Sequence, residues 1–569
     1  MHVIAGTHVV TLGMDVKESE TKGLLGFAIH RTDHKTGDSY WLNGLRTFEA
    51  VYPMPPPGAL VSTMEHPIQD FVWADYTAKP DHQYTYRVVA VYGKPKQLDL
   101  RRAEVSVLVR TEPEEHPRHS IYFNRGVIGS QAYARKFFNK DPKEDPEAMK
   151  WLARGLDKAV LDFIGEARTT EHALRAAVYE FTWDRVAEAL GKAHERTSDV
   201  EIVFDSRYRK PKPTSSEATK KAAAETRKRI DKVKALLDAH GLLEVSTPRT
   251  TNASYISHNK FIVLLKKGVP IAVWTGSTNL TESGVYGQSN VGHIVRDPDL
   301  AATYLAYWER LKSDPENKDL KPENDLASPT IAAFPPGQGT TAIFSPRSDL
   351  SMLKWYADAF NEGEEVVAFT AAFGINKVFH DTLSDPNEQD LRFLFLEDWS
   401  NNNKTVGEAT KKVVNSNRNN LVAVGGRLTK DIVEKFLRDR WKEERSNSLS
   451  RNVKYVHTKY MLIDPLGPDP VVISGSANFS DASTIENDEN MLVIRGDERV
   501  ADIYLGEFMR LWNHHRFRYI ETKKAEENDS DGYEAWYLDP TDKWTKVFYK
   551  AGTKLKKRKA FAGPLAASR

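Results

Sequence analysis

A chain of 569 residues exceeds what one hydrophobic core supports, so about three or four domains are expected. Apolar residues at 40% and charged residues at 28% exclude the disordered and fibrous classes, and the lack of any cysteine excludes disulfides, thiolate nucleophiles and cysteine zinc sites. With 80 Lys and Arg against 79 Asp and Glu, no generally polyanion-coating surface is expected, and any nucleic-acid footprint has to be local. The start, MHVIAGTHVVTLGMDVKESE, has no basic region followed by a long apolar one, and no run approaches about 18 apolar residues. A cytoplasmic protein is the default expectation, with leaderless export left open.

Residues 1–112 carry strand signals in GFAIHR, YWLNGL, FVWADY, YTYRVVAVYG and AEVSVLVR, punctuated by Pro, Asp and Gly. The alternation of Tyr84, Tyr86, Val88 and Ala90 resembles the tyrosine corner of immunoglobulin-like sandwiches, so a small β-sandwich similar to a fibronectin type III module is expected here. From about Glu112 strands alternate with helices, the pattern of an α/β layered domain. AAVYEFTW reads as a buried strand, followed by helix DRVAEALGKAHERT and strand VEIVFD. The segment from Arg207 to Lys234 holds eleven basic and three acidic residues. It reads as a basic linker entering an amphipathic helix, with Arg207, Arg209, Lys210 and Lys212 as candidate phosphate contacts.

A Pro-rich join near FPPGQG opens a second α/β series: helix LSMLKWYADAFNEG, strands EEVVAFTAAF, LRFLFLED and NLVAVGG, and helix DIVEKFLRDRW. Two similar series suggest an internal duplication. The expected division is 1–112, 113–333, 334–520 and 521–569. The last part has strand-like YEAWYLD, apolar WTKVFY and a basic tail, KLKKRKAFAG, that reads as a disordered terminus.

The chemistry sits in a repeated pattern. In SHNKFIVLLKKGVPIAVWTGSTNLT, His258 precedes Lys260 by two residues and Asn279 by 21; in YVHTKYMLIDPLGPDPVVISGSANFS, His457 precedes Lys459 by two and Asn478 by 21. Gly276-Ser277 and Gly475-Ser476 keep the same offset of 199 residues. On a strand, His-x-Lys puts both side chains on one face, and the returning strand brings the Asn to the same edge. Each repeat thus supplies an imidazole, an ammonium and an amide. One neutral His can attack a phosphodiester, a protonated one can protonate the leaving oxygen, and Lys with Asn can stabilise charge on the phosphoryl oxygens. No metal or other cofactor is required, and no clustered carboxylates suggest a metal pair. Both half-sites lie in one chain, so a monomer could suffice.

HTKYMLID…GSAN and HNKFIVLL…GSTN resemble the two HKD motifs of the phospholipase D superfamily, HxKxxxxD followed by GSxN. The resemblance implies two α/β/α units related by pseudo-twofold symmetry with one active site between them. It further implies a phosphohistidine on one His and an acid-base role for the other. Lys260, Lys459, Asn279 and Asn478 would hold the phosphoryl oxygens, supported by Ser277 and Ser476. A carboxylate after GSxN orients the His of the opposite half in family members of this type, and Glu489 stands at that place. The first repeat offers Gln288, Ser289 or Asn290 there, with Gln288 the expected supporting residue. Glu489 therefore assigns His258 as nucleophile and His457 as general acid. The motif Asp is present as Asp464 and replaced by Leu265 in the first copy; in the family it looks structural.

For substrate, the basic segment and the similarity of GSANFSDASTIENDENMLVI to small bacterial endonucleases of the family lean toward nucleic acid. Two motifs in one long chain and an accessory β-domain favour phospholipid as the alternative, and a non-catalytic phosphate-binding module is a third reading. Trp274, Trp355 and Trp399 are candidates for base stacking, with core packing the plainer expectation.

Overall fold

The computed structural model describes residues 1–126, 130–387, 390–399, 403–426, 430, 456–526 and 537–563. The expected helix over DIVEKFLRDRW and most of YEAWYLD lie outside the described residues.

Two large mixed sheets of seven strands organise the chain. The first is built from β1 (His119–Phe123), β2 (His172–Val178), β3 (Val200–Asp205), β4 (Ser246–Arg249), β5 (Lys260–Lys266), β6 (Val269–Gly276) and β7 (Val291–Val295). The second comprises β8 (Gly339–Ser345), β9 (Val366–Ala371), β10 (Leu391–Leu396), β11 (Asn420–Val424), β12 (Tyr460–Ile463), β13 (Val471–Gly475) and β14 (Glu489–Arg495). Their spatial orders are β1-β7-β6-β5-β2-β3-β4 and β8-β14-β13-β12-β9-β10-β11, the same connectivity twice. In each, the second strand runs parallel to the third and antiparallel to the fifth. AAVYEFTW contributes only its beginning to a strand, because β2 ends at Val178.

FIVLL in β5 and VVAFTA in β9 are buried throughout, which continuous apolar strands require when both sheet faces are covered. One face of each sheet meets a shared central core of Phe123, Phe261, Phe344, Tyr460 and Leu492. Helices Pro298–Lys312 and Glu498–Glu526 lie in that layer through Tyr304, Tyr307 and Trp308, and through Tyr504, Phe508 and Trp512. The opposite faces carry separate cores, one around Phe163 and Trp274 and one around Trp355 and Phe369. Trp274 and Trp355 are buried and spent on packing, and the partly buried Trp399 packs against the second of these cores.

The N-terminal residues form a three-stranded antiparallel sheet (His2–Ala5, Val10–Gly13, Val72–Asp75) and a four-stranded one (Ser39–Trp41, Leu24–Asp33, Gln83–Lys94, Gln97–Arg110). Leu12, Phe27, Tyr84, Tyr86 and Val88 share one cluster between them. Tyr84 is fully buried, and its hydroxyl accepts the Lys79 N–H at 2.9 Å.

The basic tail corrects its expectation as a disordered terminus. Thr553–Ala562 is a helix whose Arg558 reaches Asp15 at 2.6 Å, and whose Phe561 is buried against Phe393 of β10. Charge alone could not reveal this, because the two apolar anchors, Phe548 and Phe561, are separated in sequence from the surfaces they fill. Among the described residues no helix is long and apolar enough to cross a membrane.

Candidate active site

The His-x-Lys segments lie side by side where the two sheets meet. Ser257 bridges Asp488 and Val456 bridges Ser289, each as a short parallel contact across the halves. The His258 N–H donates to the Asp488 carbonyl at 2.9 Å, and the Asp488 N–H returns to the Ile256 carbonyl at 3.1 Å. On the other side, the His457 N–H donates to Ser289 Oγ at 3.3 Å. Each half therefore anchors its His against the strand that carries the opposite half's partner residue.

His258 Nδ1 lies 2.8 Å from Glu489 Oε2, which also accepts from Ser476 Oγ at 2.7 Å; Glu489 Oε1 accepts from Ser483 Oγ at 3.0 Å. His457 Nδ1 lies 2.8 Å from Asn290 Oδ1, which accepts from Ser277 Oγ at 2.8 Å. Asn290 Nδ2 donates to the Gly284 carbonyl at 2.7 Å, which fixes the amide so that its oxygen faces the imidazole. A carboxylate on one ring and an amide oxygen on the other both demand a donor, so Nδ1 carries the proton in each and Nε2 is the acceptor of the neutral ring.

Asn290, not Gln288, is thus the counterpart of Glu489, and the Gln288 expectation is corrected. The repeat itself carries the signal: Glu489 and Asn290 are separated by the same 199 residues as the two histidines. Gln288 instead lends its backbone carbonyl to Asn124 Nδ2 at 2.7 Å.

Lys260 Nζ and Lys459 Nζ each donate to the carbonyl of their own histidine, which draws ammonium and imidazole to one side of the strand. Asn259, the residue between, faces away and hydrogen-bonds Tyr307 of the central helix at 3.1 Å and Asn490 at 2.8 Å. Gly276 and Gly475 are needed for close approach: a Cβ at either would stand 2.3 Å from the carbonyl oxygen of Val291 or Asn490. Asn279 and Asn478 follow these turns, the first buried and the second half-buried. Asp464 lies at the far end of β12, where its carboxylate accepts the N–H groups of Glu364, Glu365 and Val366 at 2.9, 2.8 and 3.1 Å and so ties the hairpin to β9. In the first half Leu265 continues β5 instead, paired with Ala173 and Pro270, and a tight turn at Lys267 and Gly268 (φ +53° and +76°) closes the hairpin without a carboxylate.

Burial sets the electrostatics. It pushes the His258 imidazole down to about 4, helped by Lys260 and Lys459 and opposed by Glu489. It pushes His457 well below the usual range, together with Lys459, Lys260 and His258. Lys260 comes down to about 7 through burial, against the pull of Glu489, Glu180 and Asp205, and burial with Lys260 nearby lowers Lys459 well below an ordinary lysine. Burial works against ionisation of Glu489, yet His258, Lys260 and Ser476 outweigh it and hold the carboxyl below its ordinary range. A buried cluster of two ammoniums and two imidazoles is short of negative charge, which a phosphoryl group placed among them would supply.

Arg207 is corrected as a phosphate contact. Its guanidinium is fully buried 3.0 Å from Asp488, which Arg249 also grips at 3.1 Å while holding Asp314 from its other edge. This ion cluster braces the backbone that receives His258. A charge run gives no hint of it, because Asp488 lies 281 residues away. Arg209, Lys210 and Lys212 are exposed. The segment leads into helix Glu217–Ala239, whose Arg229 pairs with Asp205 at 2.7 Å and covers the Tyr179 ring at 5.0 Å. Tyr179 in turn meets the His258 ring edge-on at 4.8 Å. Sequence reasoning assigns no site role to Tyr179, Glu180, Asp205, Arg229, Arg249 or Asp488. They lie outside the repeated pattern and reach the site from the ends or flanks of strands or, for Arg229, from helix Glu217–Ala239.

The family model described as cardiolipin synthase, PLD-like domain, matches residues 160–312 and 404–512. No curated protein matches the chain. Among solved structures it is similar to phosphatidylserine synthase from Haemophilus influenzae Rd KW20, at 12% identity over 71% of this chain and 92% of that one, with a TM-score of 0.41. It is similar to the phospholipase D family member Nuc from Salmonella typhimurium at 15% identity, over 31% of this chain and 94% of that one, with a TM-score of 0.22. Yeast tyrosyl-DNA phosphodiesterase matches at 11% identity over 60% of this chain and 88% of that one, with a TM-score of 0.33. Likeness at such identities and scores carries no information about substrate.

Proposed function

This chain belongs to the phospholipase D superfamily, and we propose on that premise that it is a phosphodiesterase acting through a phosphohistidine, with nucleic acid as its substrate. The observation that carries the reading is the unequal pairing of the histidines: a carboxylate on His258 and an amide on His457. The Glu489 carboxylate stabilises positive charge as His258 Nε2 bonds to phosphorus, so His258 is the nucleophile. His457, with a neutral partner, gives its proton to the departing alcohol oxygen as the P–O bond breaks. Water then attacks the phosphorus on the side the alcohol left, yielding a proton to His457 as the P–N bond to His258 breaks. Lys260, Lys459, Asn279 and Asn478 hold the non-bridging oxygens through both steps. A phosphate anion beside the two ammoniums and the His457 imidazole favours their protonated forms, so substrate entry readies His457 as an acid, while His258 Nε2 is turned to the phosphorus as a neutral acceptor.

The nucleic-acid assignment draws support from the exposed Arg209, Lys210 and Lys212, which lead into the helix whose Arg229 lies over Tyr179 beside His258. A second reading, phospholipid, is favoured by one specific feature: Leu45, Val51, Tyr52, Met54, Leu60 and Met64 are all exposed in one N-terminal loop region, Met54 at 84%. On either reading, residues 113–333 and 334–520 are the two half-site units. Residues 1–112 serve as an accessory β-sandwich of fibronectin type III character, with 521–569 as a C-terminal extension. The test is paired. Purified protein is expected to cut plasmid or single-stranded nucleic acid in EDTA, and His258→Asn to abolish the cutting. Choline release from phosphatidylcholine with nucleic acid left intact would move the assignment to phospholipid. Inertness toward both, with phosphate affinity unchanged in His258→Asn, would leave a binding module.

A further inference from the structure

The two halves differ at one more place beside the reacting groups. Ala176 of β2 pairs with Ile262, and Phe369 of β9 pairs with Met461, and these partners keep the 199-residue offset of the duplication. Counting onward from Ala176 and from Phe369, Glu180 stands where the second half has Phe373. Phe373 is 40% exposed with the Lys459 ammonium 6.0 Å from its ring centre. Glu180 is a carboxylate whose Oε2 accepts from Asn279 Nδ2 at 3.0 Å. Its backbone is left-handed, with φ +27°, a conformation that a non-glycine residue holds only where its surroundings enforce it. Those surroundings are visible: the N–H groups of Thr182 and Trp183 both donate to the carbonyl of Leu280, the residue after Asn279, at 3.1 and 3.0 Å. The chain reversal after β2 is thus pinned to the turn that carries the amide.

We propose that Glu180 is a positioning residue of the first half-site: its carboxylate holds one N–H of the Asn279 amide and thereby presents the other to a phosphoryl oxygen. An ionised carboxylate accepts and cannot donate, so Glu180 also fixes which way the amide is flipped. The inference rests on the reading of the site as a phosphodiester centre. It gives the half that carries His258 a pre-oriented amide, whereas the second half has an aromatic ring in the equivalent place. Its charge has a second effect, on Lys260. That ammonium is faced by Glu489 across the interface, by Glu180 after β2, by Asp205 at the end of β3, and by His258, Lys459 and the Tyr179 ring. Glu180 is one of three carboxylates favouring its charged form, and among the described residues the equivalent place beside Lys459 is taken by Phe373.

Two readouts test this: hydrolysis of bis(p-nitrophenyl) phosphate, and tungstate binding by calorimetry, which needs no turnover. Glu180→Ala is expected to lower kcat/KM and tungstate affinity by about 10- to 100-fold, the usual effect of losing a charged hydrogen-bond partner. In an Asn279→Ala background the same change is expected to cost less than about threefold, because the amide it positions is gone. Glu180→Gln keeps an acceptor for Asn279, so its values at pH 6 should stay within about threefold of the parent. Its alkaline limb should move to lower pH, since Lys260 gives up its proton sooner. Equal losses from Glu180→Ala in both backgrounds, no loss at all, or an unmoved pH profile in Glu180→Gln would each overturn the proposal while leaving the phosphodiester reading intact. A parent protein that neither hydrolyses the ester nor binds tungstate would overturn both.

Discussion

The two halves of the site follow one backbone plan, and three of the differences between them bear on its chemistry. Where the second half supplies Glu489 to the opposite histidine, the first supplies Asn290. Where the first half sets Glu180 beside its amide, the second sets Phe373 beside its ammonium. Where the second half ties its hairpin with Asp464, the first extends a strand through Leu265. The shared plan delivers imidazole, ammonium and amide twice in nearly the same geometry, which by itself would leave the histidines interchangeable. A single carboxylate against an amide separates them, because a buried charge next to one ring stabilises its cationic state and an amide does not. On the proposed reading, duplication builds the site and local departures from it allot the roles.

That account is broken most easily at the histidines. His258→Asn is expected to lower kcat on the order of 10⁴-fold or more, the usual result of removing a nucleophile. His457→Asn should be slow overall yet release one burst of p-nitrophenol from an activated ester, because such a leaving group needs no acid. Equal behaviour of the two variants would mean that the halves are not differentiated.

Next in size is the exchange of partners. Glu489→Gln should cost about 10²- to 10⁴-fold in kcat, as loss of a buried carboxylate behind a catalytic histidine does. Asn290→Asp should cost far less, about tenfold or under, and with a non-activated ester, whose leaving group needs an acid, should move the alkaline limb of kcat upward by about one pH unit. The sign follows from the new carboxylate, which raises the affinity of His457 for its proton and keeps the acid form present to higher pH.

The third prediction concerns the frame. Arg207→Ala leaves Asp488 buried with one guanidinium fewer, and should destabilise the protein by about 3–5 kcal/mol in denaturant unfolding. Because Asp488 receives the His258 backbone, activity measured well below the unfolding midpoint should fall as well. A surface phosphate contact would show the opposite pattern, with stability unchanged and salt dependence reduced.

The smallest effect belongs to the hairpins. Asp464→Ala removes the acceptor of three partly exposed N–H groups and should cost about 1–2 kcal/mol with kcat unchanged. Leu265→Asp should be the more damaging change, since it puts a carboxylate at a position that is 6% exposed and has no such N–H groups to serve.

Much of this site is legible in the amino-acid sequence because the pattern repeats. His258, Lys260 and Asn279 with their second copies stand out because spacing on strands maps directly onto one sheet edge, and the 199-residue offset survives folding. The contact of Glu489 with His258 is also readable, through the family resemblance. Asn290 is within reach of the same offset, whereas the family resemblance alone offers Gln288, Ser289 or Asn290 at that place, with Gln288 the expected supporting residue. Arg207 misleads because a run of basic residues looks the same whether one member is buried against Asp488 or all are solvated. Glu180 gives no sequence signal, since its place depends on where β2 ends and on a backbone conformation that no motif encodes. The helical tail escapes for a related reason, since the surfaces that Phe548 and Phe561 fill belong to the N-terminal sheets and to the core that includes β10.

The central claim, that His258 rather than His457 takes the phosphoryl group, is tested most directly by trapping the covalent intermediate. Protein quenched under alkaline conditions during turnover of an activated phosphodiester, then digested and mapped by mass spectrometry, should carry the adduct on the peptide containing His258. The adduct should accumulate further in His457→Asn. An adduct found on His457, or one that persists in His258→Asn, would contradict the account.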